Sequence, residues 1–308
     1  MSLPPSQSDA TAARTVREMF SAIAPRYDFL NHLLSLRLDI VWRRRVARRF
    51  RSVLARADAR VLDLCCGTGD LSLALQRVAN EEGRKRAIRR GARIFGTDFA
   101  HPMLAIARHK SLSASSDLLI RPVGWAQEQG REEAGAARPR FRFPLWGRGR
   151  QPDTQSTLQS ASLSGGAAPA VGPIYLEADA LSLPFADATF DLLTAAFGFR
   201  NLTNYDRGLA EFFRVLKPGG RLAILEFSEP RGALLGPAYR FYFTRILPRI
   251  GGVISGNPAA YTYLPGSVLN FPSPETLAAM LSRAGFSDVR FDLWSAGIVA
   301  LHSALRPV

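Results

Sequence analysis

The chain has 308 residues, 47% of them hydrophobic, so it is long and apolar enough for one large domain with a packed core. Its net charge of +14, from 40 basic and 26 acidic residues, suits a nucleic acid, an anionic membrane surface or an acidic metabolite. There is no window of about 18 apolar residues and no apolar core near Met1, so we expect neither a membrane span nor a signal peptide. Two cysteines without an export signal favour a reducing cytoplasm.

The N-terminal region is predicted to be flexible over residues 1–13 and helical over residues 14–55, where apolar residues recur at helical spacing. The helical part contains the run WRRRVARRFR, with six arginines between Arg43 and Arg51. Three interpretations of the run remain: a solvated helix face, a surface attracted to a membrane, and a nucleic-acid contact. The last is the weakest, because no aromatic-basic binding motif accompanies the run.

Strands and helices then alternate. Residues 59–65 and 92–99 have the pattern of strands, and residues 70–80 and 101–110 that of helices, with Pro102 near the first turn of the second helix. Alternation at this spacing predicts βαβ units and a parallel sheet.

The alternation stops over residues 111–173, where small, polar, proline and glycine residues dominate. A structureless segment of this length is unusual within a compact domain, so we predict a disordered, low-complexity insertion. Its one distinctive stretch is RFRFPLWGRGR (140–150), which mixes arginines with aromatic side chains and has the composition of a membrane-interface element.

Regular elements resume after the insertion and complete a seven-stranded sheet. The further predicted strands are 174–180, 188–199, 221–228 and two strands within 288–305, and the further helices are 204–216 and 273–286. Ser273 is the predicted N-cap of the last helix, and the final two strands form an antiparallel ending. The predicted fold is therefore a single α/β domain over residues 14–308, with a mostly parallel sheet, an antiparallel final strand and an N-terminal helical lid.

The two cysteines, Cys65 and Cys66, are adjacent and precede a glycine turn. A structural zinc site needs about four ligands at workable spacing, and the four histidines show no ligand pattern. An adjacent pair also makes a strained disulfide. We therefore expect no metal site here, and interpret both cysteines as small residues packed at the end of a strand.

The glycine turn itself is the stronger signal. The dinucleotide fingerprint G-x-G-x-x-G fails because its third glycine position is Ser72, whereas D-x-x-x-G-x-G fits Asp63, Gly67 and Gly69. A strand, a glycine turn and a helix let a ligand approach backbone N–H groups. Asp98 ends the next strand, where a carboxylate can accept from both ribose hydroxyls. The combination points to S-adenosylmethionine (SAM), although Asp98 could instead cap the following helix.

Four longer stretches resemble the menaquinone/ubiquinone C-methyltransferases, which methylate a ring carbon of a polyprenylated quinol. They are YDFLNHLLSLRLDIVW (27–42), LDLCCGTGD (62–70), RVLKPGGRLAILEFS (214–228) and NPAAYTYLPGSVLNFPS (257–273). The resemblance spans nearly the whole chain apart from residues 1–13 and the insertion. It implies a Rossmann-like class I SAM-dependent methyltransferase acting on demethylmenaquinol or, alternatively, on the benzoquinol intermediate of ubiquinone synthesis. Leu30, Asp39 and Ala196 depart from the residues that are usual in the family.

The resemblance also implies site residues. SAM is expected to contact Thr68, Asp98 and the pair Asp179–Ala180, in addition to the glycine turn. For the ring oxygens our first choices are Arg200 and Asn201, because they follow the fourth strand at the carboxyl edge of the sheet. An alternative role for Arg200 is a salt bridge within a loop. Weaker candidates, on the N-terminal lid and a late loop, are Tyr27, Asp28 and Tyr263.

Three other functions compete with this interpretation. An amino-methylating nucleic-acid enzyme would carry N-P-P-Y or D-P-P-Y after the fourth strand, where this chain has AAFGFRN, so we expect no nucleic-acid partner. A nicotinamide-dependent dehydrogenase is disfavoured by Ser72. A non-catalytic SAM-binding or quinone-carrier protein stays open, as does homo-oligomerisation. A polyprenyl substrate resides in a bilayer, so we expect a cytoplasmic protein that touches the inner face of the membrane.

Overall fold

The computed structural model describes residues 7–86, 91–119, 172–230, 235–246 and 266–308. Three helices come first: α1 (Gln7–Leu34), α2 (Leu38–Arg49) and α3 (Arg51–Leu54). Because α1 begins at Gln7, half of the segment predicted to be flexible is helical. The turn between α1 and α2 is sharp, since Leu36 and Arg37 both adopt left-handed backbone conformations without being glycines.

Seven strands form one sheet with the order β3-β2-β1-β4-β5-β7-β6. All neighbouring strands are parallel except that β7 runs antiparallel to both β5 and β6. This confirms the predicted parallel sheet with an antiparallel final strand. The strands are β1 (Arg60–Leu64), β2 (Arg93–Asp98), β3 (Ile174–Glu177), β4 (Phe190–Ala196), β5 (Leu216–Phe227), β6 (Ser287–Trp294) and β7 (Val299–Leu305).

The remaining described helices flank the sheet. They are α4 (Asp70–Lys85), α5 (His101–Leu119), α6 (Tyr205–Val215), α7 (Leu235–Phe241) and α8 (Pro274–Arg283), with a π-helical turn at Tyr242–Ile246 and 3-10 turns at Phe199–Asn201 and Ser295–Gly297. Ser273 caps α8 as predicted, its hydroxyl accepting from the backbone N–H of Thr276. No helix among the described residues is long and apolar enough to span a membrane.

Several boundaries differ from the sequence prediction, and two of them change an interpretation. Helix α5 continues to Leu119, nine residues into the range predicted as an insertion, and residues 120–171 lie outside the described part of the chain. The Lys-Pro-Gly-Gly segment does not precede β5 but forms its first part, because Leu216 already pairs with Phe190 and a register shift follows. A glycine is needed there, since Gly219 has a φ of 75°.

The topology determines where a ligand can bind. Two buried hydrophobic clusters pack on the two faces of the sheet, one centred on Leu75 and Leu192 and the other on Leu193 and Phe212. The chain leaves β1 towards β2 and β3 on one side and returns to β4 on the other. In such sheets the crevice at the carboxyl ends of these two central strands is the usual ligand site.

Candidate functional site

The turn between β1 and α4 is built from left-handed residues. Cys65, Gly67 and Gly69 have φ angles of 50°, 55° and 82°. A Cβ on Gly69 would lie 2.5 Å from the Tyr175 hydroxyl oxygen, so a side chain is excluded by space as well as by conformation. The two cysteines are free and half-buried, and burial raises the pKa of both thiols well above the ordinary value. They therefore pack as neutral small residues.

Asp98 ties the end of β2 to this turn. Its Oδ2 accepts from the backbone N–H of Gly67 at 2.9 Å, and its Oδ1 accepts from that of Ala100 at 2.9 Å. The carboxylate therefore fixes the residue that precedes α5 and also lines the crevice, and its contact with ribose stays a prediction. Burial raises its pKa, and the two backbone N–H groups oppose that rise.

A cavity of about 420 Å³, the first cavity, opens at the carboxyl ends of the central strands. Six of the predicted site residues line it: Tyr27, Gly67, Asp98, Asp179, Ala180 and Asn201. Side chains from α1 close it on the lid side, including Arg17 and Phe20. Its volume falls within the range of about 300–1,000 Å³ that is typical of small-molecule sites.

The first cavity has the donors and acceptors that SAM requires. Asp98 presents a buried carboxylate at the end of β2, suited to the ribose hydroxyls. Asp179 offers an exposed carboxylate next to the buried Ala180, suited to the adenine amino group. Gly67 exposes backbone without a side chain. The residues present therefore fit the cofactor.

Three predicted cofactor residues lie outside the wall of the first cavity, and Asp63 is one of them. Its carboxylate is fully buried beneath the turn, where it accepts from the hydroxyls of Ser72 at 2.6 Å and Thr194 at 3.0 Å. Burial raises the pKa of Asp63 to about 7. The strand directs this side chain into the core, so Asp63 does not line the first cavity, and its predicted contact with the cofactor stays a prediction.

The other two, Thr68 and Gly69, lie behind the wall with the lid residue Asp28. Thr68 donates its hydroxyl hydrogen to Asp28 and accepts from Lys110 Nζ at 3.0 Å. Lys110 Nζ also lies 2.6 Å from both Asp28 Oδ2 and Asp70 Oδ1. This half-buried polar network fastens α1 to the glycine turn and to α5. Asp28 therefore holds the lid in position, and the structure does not bring it to either cavity.

A second cavity of about 330 Å³ adjoins the first. Tyr27 and Phe197 line both cavities and so form the junction between them. The wall is mostly apolar, with contributions from α1, α2, α7 and the ends of β4 and β5. Its other lining residues are Asn31, Ser35, Leu36, Leu38, Asp39, Trp42, Arg43, Arg200, Phe227, Tyr239, Tyr242 and Ile298.

Arg200 enters this cavity as a buried ion pair. Its Nη1 donates to Glu226 Oε2 at 3.0 Å and to the carbonyl oxygen of Phe197, and its guanidinium carbon lies 5.5 Å from the centre of the Phe227 ring. The alternative role, a salt bridge at a loop, is thus real, and the same side chain also faces the second cavity. Asn201, the next residue, faces the first.

The arginine run does not form one uniform surface. Arg43 is buried and pairs with Asp39, Arg45 stacks on the Trp294 ring at 4.4 Å, and Arg49 pairs with Asp292 at 3.5 Å. Sequence reasoning missed Arg43 as a cavity residue, although its i, i+4 spacing from Asp39 was a usable signal. Tyr263 and residues 140–150 lie outside the described part of the chain.

The model of the ubiE/COQ5 methyltransferase family matches residues 7–132 and 167–306. The chain belongs to this family. A demethylmenaquinone methyltransferase of Thermus thermophilus is 43% identical over 94% of this chain and 100% of its own length. A protein of the same name from Deinococcus radiodurans is 40% identical over 92% of this chain and 89% of its own length. A ubiquinone/menaquinone biosynthesis C-methyltransferase UbiE of Geobacter sulfurreducens is 37% identical over 94% of this chain and 87% of its own length.

Among solved structures, a SAM-dependent methyltransferase from Thermotoga maritima superposes with a TM-score of 0.51 at 15% identity, covering 94% of this chain and 98% of that one. At this identity the likeness concerns the fold alone. Family and fold together make the chain a SAM-dependent methyltransferase, as the glycine turn and Asp98 predicted.

Proposed function

We propose that this protein transfers the methyl group of SAM to a ring carbon of a polyprenylated hydroquinone, with demethylmenaquinol as first choice. The observation that carries the proposal is the pair of adjoining cavities: one whose wall includes the donors and acceptors that SAM needs, and one whose mostly apolar wall includes buried arginines, with Tyr27 and Phe197 in both walls. The names of the relatives support the same substrate class. The benzoquinol intermediate of ubiquinone synthesis is the alternative.

The cofactor contacts we propose are those that line the first cavity. Asp98 takes the ribose, Asp179 and Ala180 take the adenine edge, and Gly67 lets the backbone approach. Asp63, Thr68 and Gly69 act one layer behind, holding the shape of the turn. Bound SAM supplies a methyl group on a positively charged sulfur, so the protein's task is chiefly to place a carbon nucleophile in line with it.

The acceptor ring must become electron-rich at the carbon that is methylated. Loss of a proton from a ring hydroxyl raises electron density at the neighbouring carbon, and the C–C bond forms as the C–S bond breaks. The ring carbon then loses its hydrogen and the oxygen regains a proton, so one proton is released per turnover. Arg200 is placed to stabilise the negative oxygen in an apolar cavity, where such a charge interaction is strong.

Tyr27 and Asn201 complete this proposed acceptor site. Burial raises the pKa of Tyr27, although Arg200 and Arg43 oppose the rise. The phenol therefore stays protonated near neutral pH and donates a hydrogen bond rather than acting as a base. Asn201, next to Arg200 but facing the first cavity, offers an uncharged amide between cofactor and ring. Asp28 contributes indirectly by holding the lid.

Membrane contact is the further part of this proposal. The exposed apolar residues Leu33, Leu36, Leu38 and Val41, the apolar elbow, surround the turn between α1 and α2. Leu36 is 81% exposed, and with Leu38 it also lines the second cavity. A polyprenyl tail leaving that cavity would emerge at this elbow. Insertion of the elbow into the cytoplasmic leaflet, with Arg37 at its tip, explains an apolar surface that water disfavours.

The function is tested with purified protein, labelled SAM and both redox states of demethylmenaquinone. We expect label on a ring carbon of the reduced quinol and none on the oxidised quinone, whose ring is electron-poor. The reduced benzoquinol, assayed in parallel, decides between the two acceptors. Tight SAM binding without transfer to either quinol would overturn the proposal.

The membrane contact is tested by flotation with anionic vesicles. Replacing Leu33 and Val41, the two elbow residues that do not line the second cavity, by serine should abolish most of the binding and leave transfer to a short-tailed, water-soluble quinol unchanged. Leu293→Ser, on β6, is the control, because Leu293 is also an exposed leucine and lies outside the elbow. Equal flotation of the double variant and the control would remove the elbow from the membrane contact.

A further inference from the structure

Arg43 stands apart from the other arginines of its helix because it is buried in the wall of the second cavity. Its guanidinium pairs with Asp39, one turn earlier in α2, which is itself buried. Asp39 also accepts from the Ser35 hydroxyl at 2.7 Å and contacts His32 Nδ1 at 2.9 Å. Arg43 holds the pKa of Asp39 below its usual range against the effect of burial, so the carboxylate stays charged. The helix thus presents a fixed cation to an apolar space.

The surroundings of Arg43 resemble those of Arg200. Each pairs with a buried carboxylate, Asp39 or Glu226, and each lies against an aromatic ring of the cavity wall. The guanidinium carbon of Arg43 is 5.3 Å from the centre of the Phe197 ring, and that of Arg200 is 5.5 Å from the centre of the Phe227 ring. The centres of these two rings are 4.7 Å apart, so the two cations lie against one pair of contacting aromatic rings.

The guanidinium of Arg43 has five N–H donors, and the carboxylate of Asp39 can engage two of them at most, so donors of Arg43 remain for a ligand. An ion pair with a structural role alone would add little to folding stability here, because a buried ion pair is often no more stabilising than apolar side chains of similar volume. Two cations from separate elements, lining one small cavity, instead suit a ligand with two separated oxygens.

Resting on the proposed function, we propose that Arg43 binds the second oxygen of the acceptor ring while Arg200 binds the first. A hydroquinone carries two oxygens on opposite ring carbons, and fixing both would orient the ring and so select which carbon faces the cofactor. An aromatic ring with a single hydroxyl can use only one of the two cations. Arg43 therefore acts as a specificity-determining contact for para-dihydroxy rings, a role distinct from membrane attraction by the arginine run.

The test compares two soluble probes under anaerobic conditions: 1,4-dihydroxynaphthalene with two oxygens, and 1-naphthol with one. Calorimetry measures their affinities for wild type and Arg43→Met in the presence of S-adenosylhomocysteine. Loss of a hydrogen bond to a charged group should weaken the two-oxygen probe about tenfold or more and the one-oxygen probe by less than about twofold. Arg200→Met should show the same asymmetry, because 1-naphthol can then use Arg43.

Arg44→Met is the matched control, since Arg44 is the next residue of α2 and is exposed; it should leave both affinities unchanged. Arg43→Lys keeps the charge beside Asp39 and provides a second variant if Arg43→Met does not fold, with a smaller asymmetry expected. Equal weakening of both probes, or no weakening, would overturn the role of Arg43. Because binding is measured without turnover, asymmetric binding in a protein that methylates no quinol would refute the proposed function alone.

Discussion

The two cavities are built by different means. The first lies at the carboxyl ends of the central strands and is closed by α1 side chains, and its polar groups include the carboxylates of Asp98 and Asp179 and the backbone of Gly67. The second is formed by apolar side chains from at least five elements, and its polar groups are buried arginine–carboxylate pairs. Both walls are mostly apolar, so the cavities differ in the polar groups they present: carboxylates and backbone at the strand ends in the first, and arginines held by carboxylates in the second.

The two cavities therefore depend on separate sets of residues, with Tyr27 and Phe197 in common. A substitution deep in one cavity should leave ligand binding in the other intact.

The largest expected effect is on turnover when Arg200 is lost from the second cavity. Arg200→Lys removes the planar donors but keeps a charge beside Glu226, and turnover should fall about 10²–10³-fold, as for the loss of one oxyanion donor. SAM affinity, measured by calorimetry, should stay within about twofold because Arg200 does not line the first cavity. Arg200→Ala should also destabilise the fold, by about 3–5 kcal/mol, since the buried Glu226 would lose its cationic partner and keep only backbone donors.

Arg221→Ala is the control for this variant, because Arg221 is exposed on β5, the strand that also carries Glu226. It should show wild-type turnover. Normal turnover of Arg200→Lys would remove Arg200 from the chemistry and leave it the structural role of its ion pair. A parallel loss of SAM affinity would mean that the two cavities are not independent.

The next effect is on SAM affinity when Asp98 is changed. Asp98→Asn keeps the side-chain shape but loses the charge that accepts hydrogen bonds, which should weaken SAM binding by about 2 kcal/mol, roughly thirtyfold. Affinity for the soluble acceptor probe 1,4-dihydroxynaphthalene should be unchanged. The measurement is calorimetry with each ligand alone, and unaltered SAM affinity would exclude Asp98 as a contact.

The contrast between the cavities also explains what the sequence could reveal. The sheet, its order and its final antiparallel strand follow from the alternation of short apolar runs and helical periods, which are local patterns. The position of Gly67 and Asp98 at the ligand crevice was predictable for the same reason, because a glycine turn and a carboxylate at the ends of successive strands can be read directly from the sequence. Asp63 belongs to the same sequence motif, and only the direction of its side chain, into the core, separates it from the residues that line the cavity.

The second cavity could be predicted only in part. Tyr27 and Arg200 came from family-like motifs, whereas Phe227, Tyr239 and Ile298 join them only through tertiary packing. The six arginines after Trp42 have the same chemistry in the sequence, and burial alone distinguishes Arg43 from Arg44. The elbow depends on left-handed backbone at Leu36 and Arg37, for which neither residue type gives a signal.

A smaller effect is expected from Asp63, which lies behind the first cavity. Its pKa is raised from 3.8 to about 7, so between these values the folded protein holds a proton that the unfolded chain releases. The contribution of Asp63 to stability therefore falls as pH rises from about 4 to 7, by up to about 1.4 kcal/mol per pH unit, and is level above. Asp63→Asn should lack this decline while binding SAM normally.

Urea denaturation without ligand, at pH 5, 6, 7 and 8, measures this difference. From pH 5 to pH 7 the free energy of unfolding of the wild type should fall relative to that of Asp63→Asn. Between pH 7 and pH 8 the difference between the two proteins should stay constant. Asp98 has a raised pKa of the same sign but is present in both proteins, so it cancels in the comparison. Parallel curves throughout would show that Asp63 is ionised in the folded state, and weak SAM binding by Asp63→Asn would return it to the cofactor site.

The smallest effect is expected outside both cavities. The family model leaves residues 133–166 unmatched, and their composition offers little apolar surface to bury. Joining residue 132 to 167 through a short Gly-Ser linker should therefore keep the melting temperature, SAM affinity and turnover on a soluble quinol near wild type. Vesicle flotation of the shortened protein shows which segment contacts the membrane. Binding equal to that of wild type assigns the contact to the elbow, whereas weaker binding assigns part of it to RFRFPLWGRGR. A shortened protein that fails to fold would mean that the segment belongs to the core, and the prediction of a dispensable insertion would be wrong.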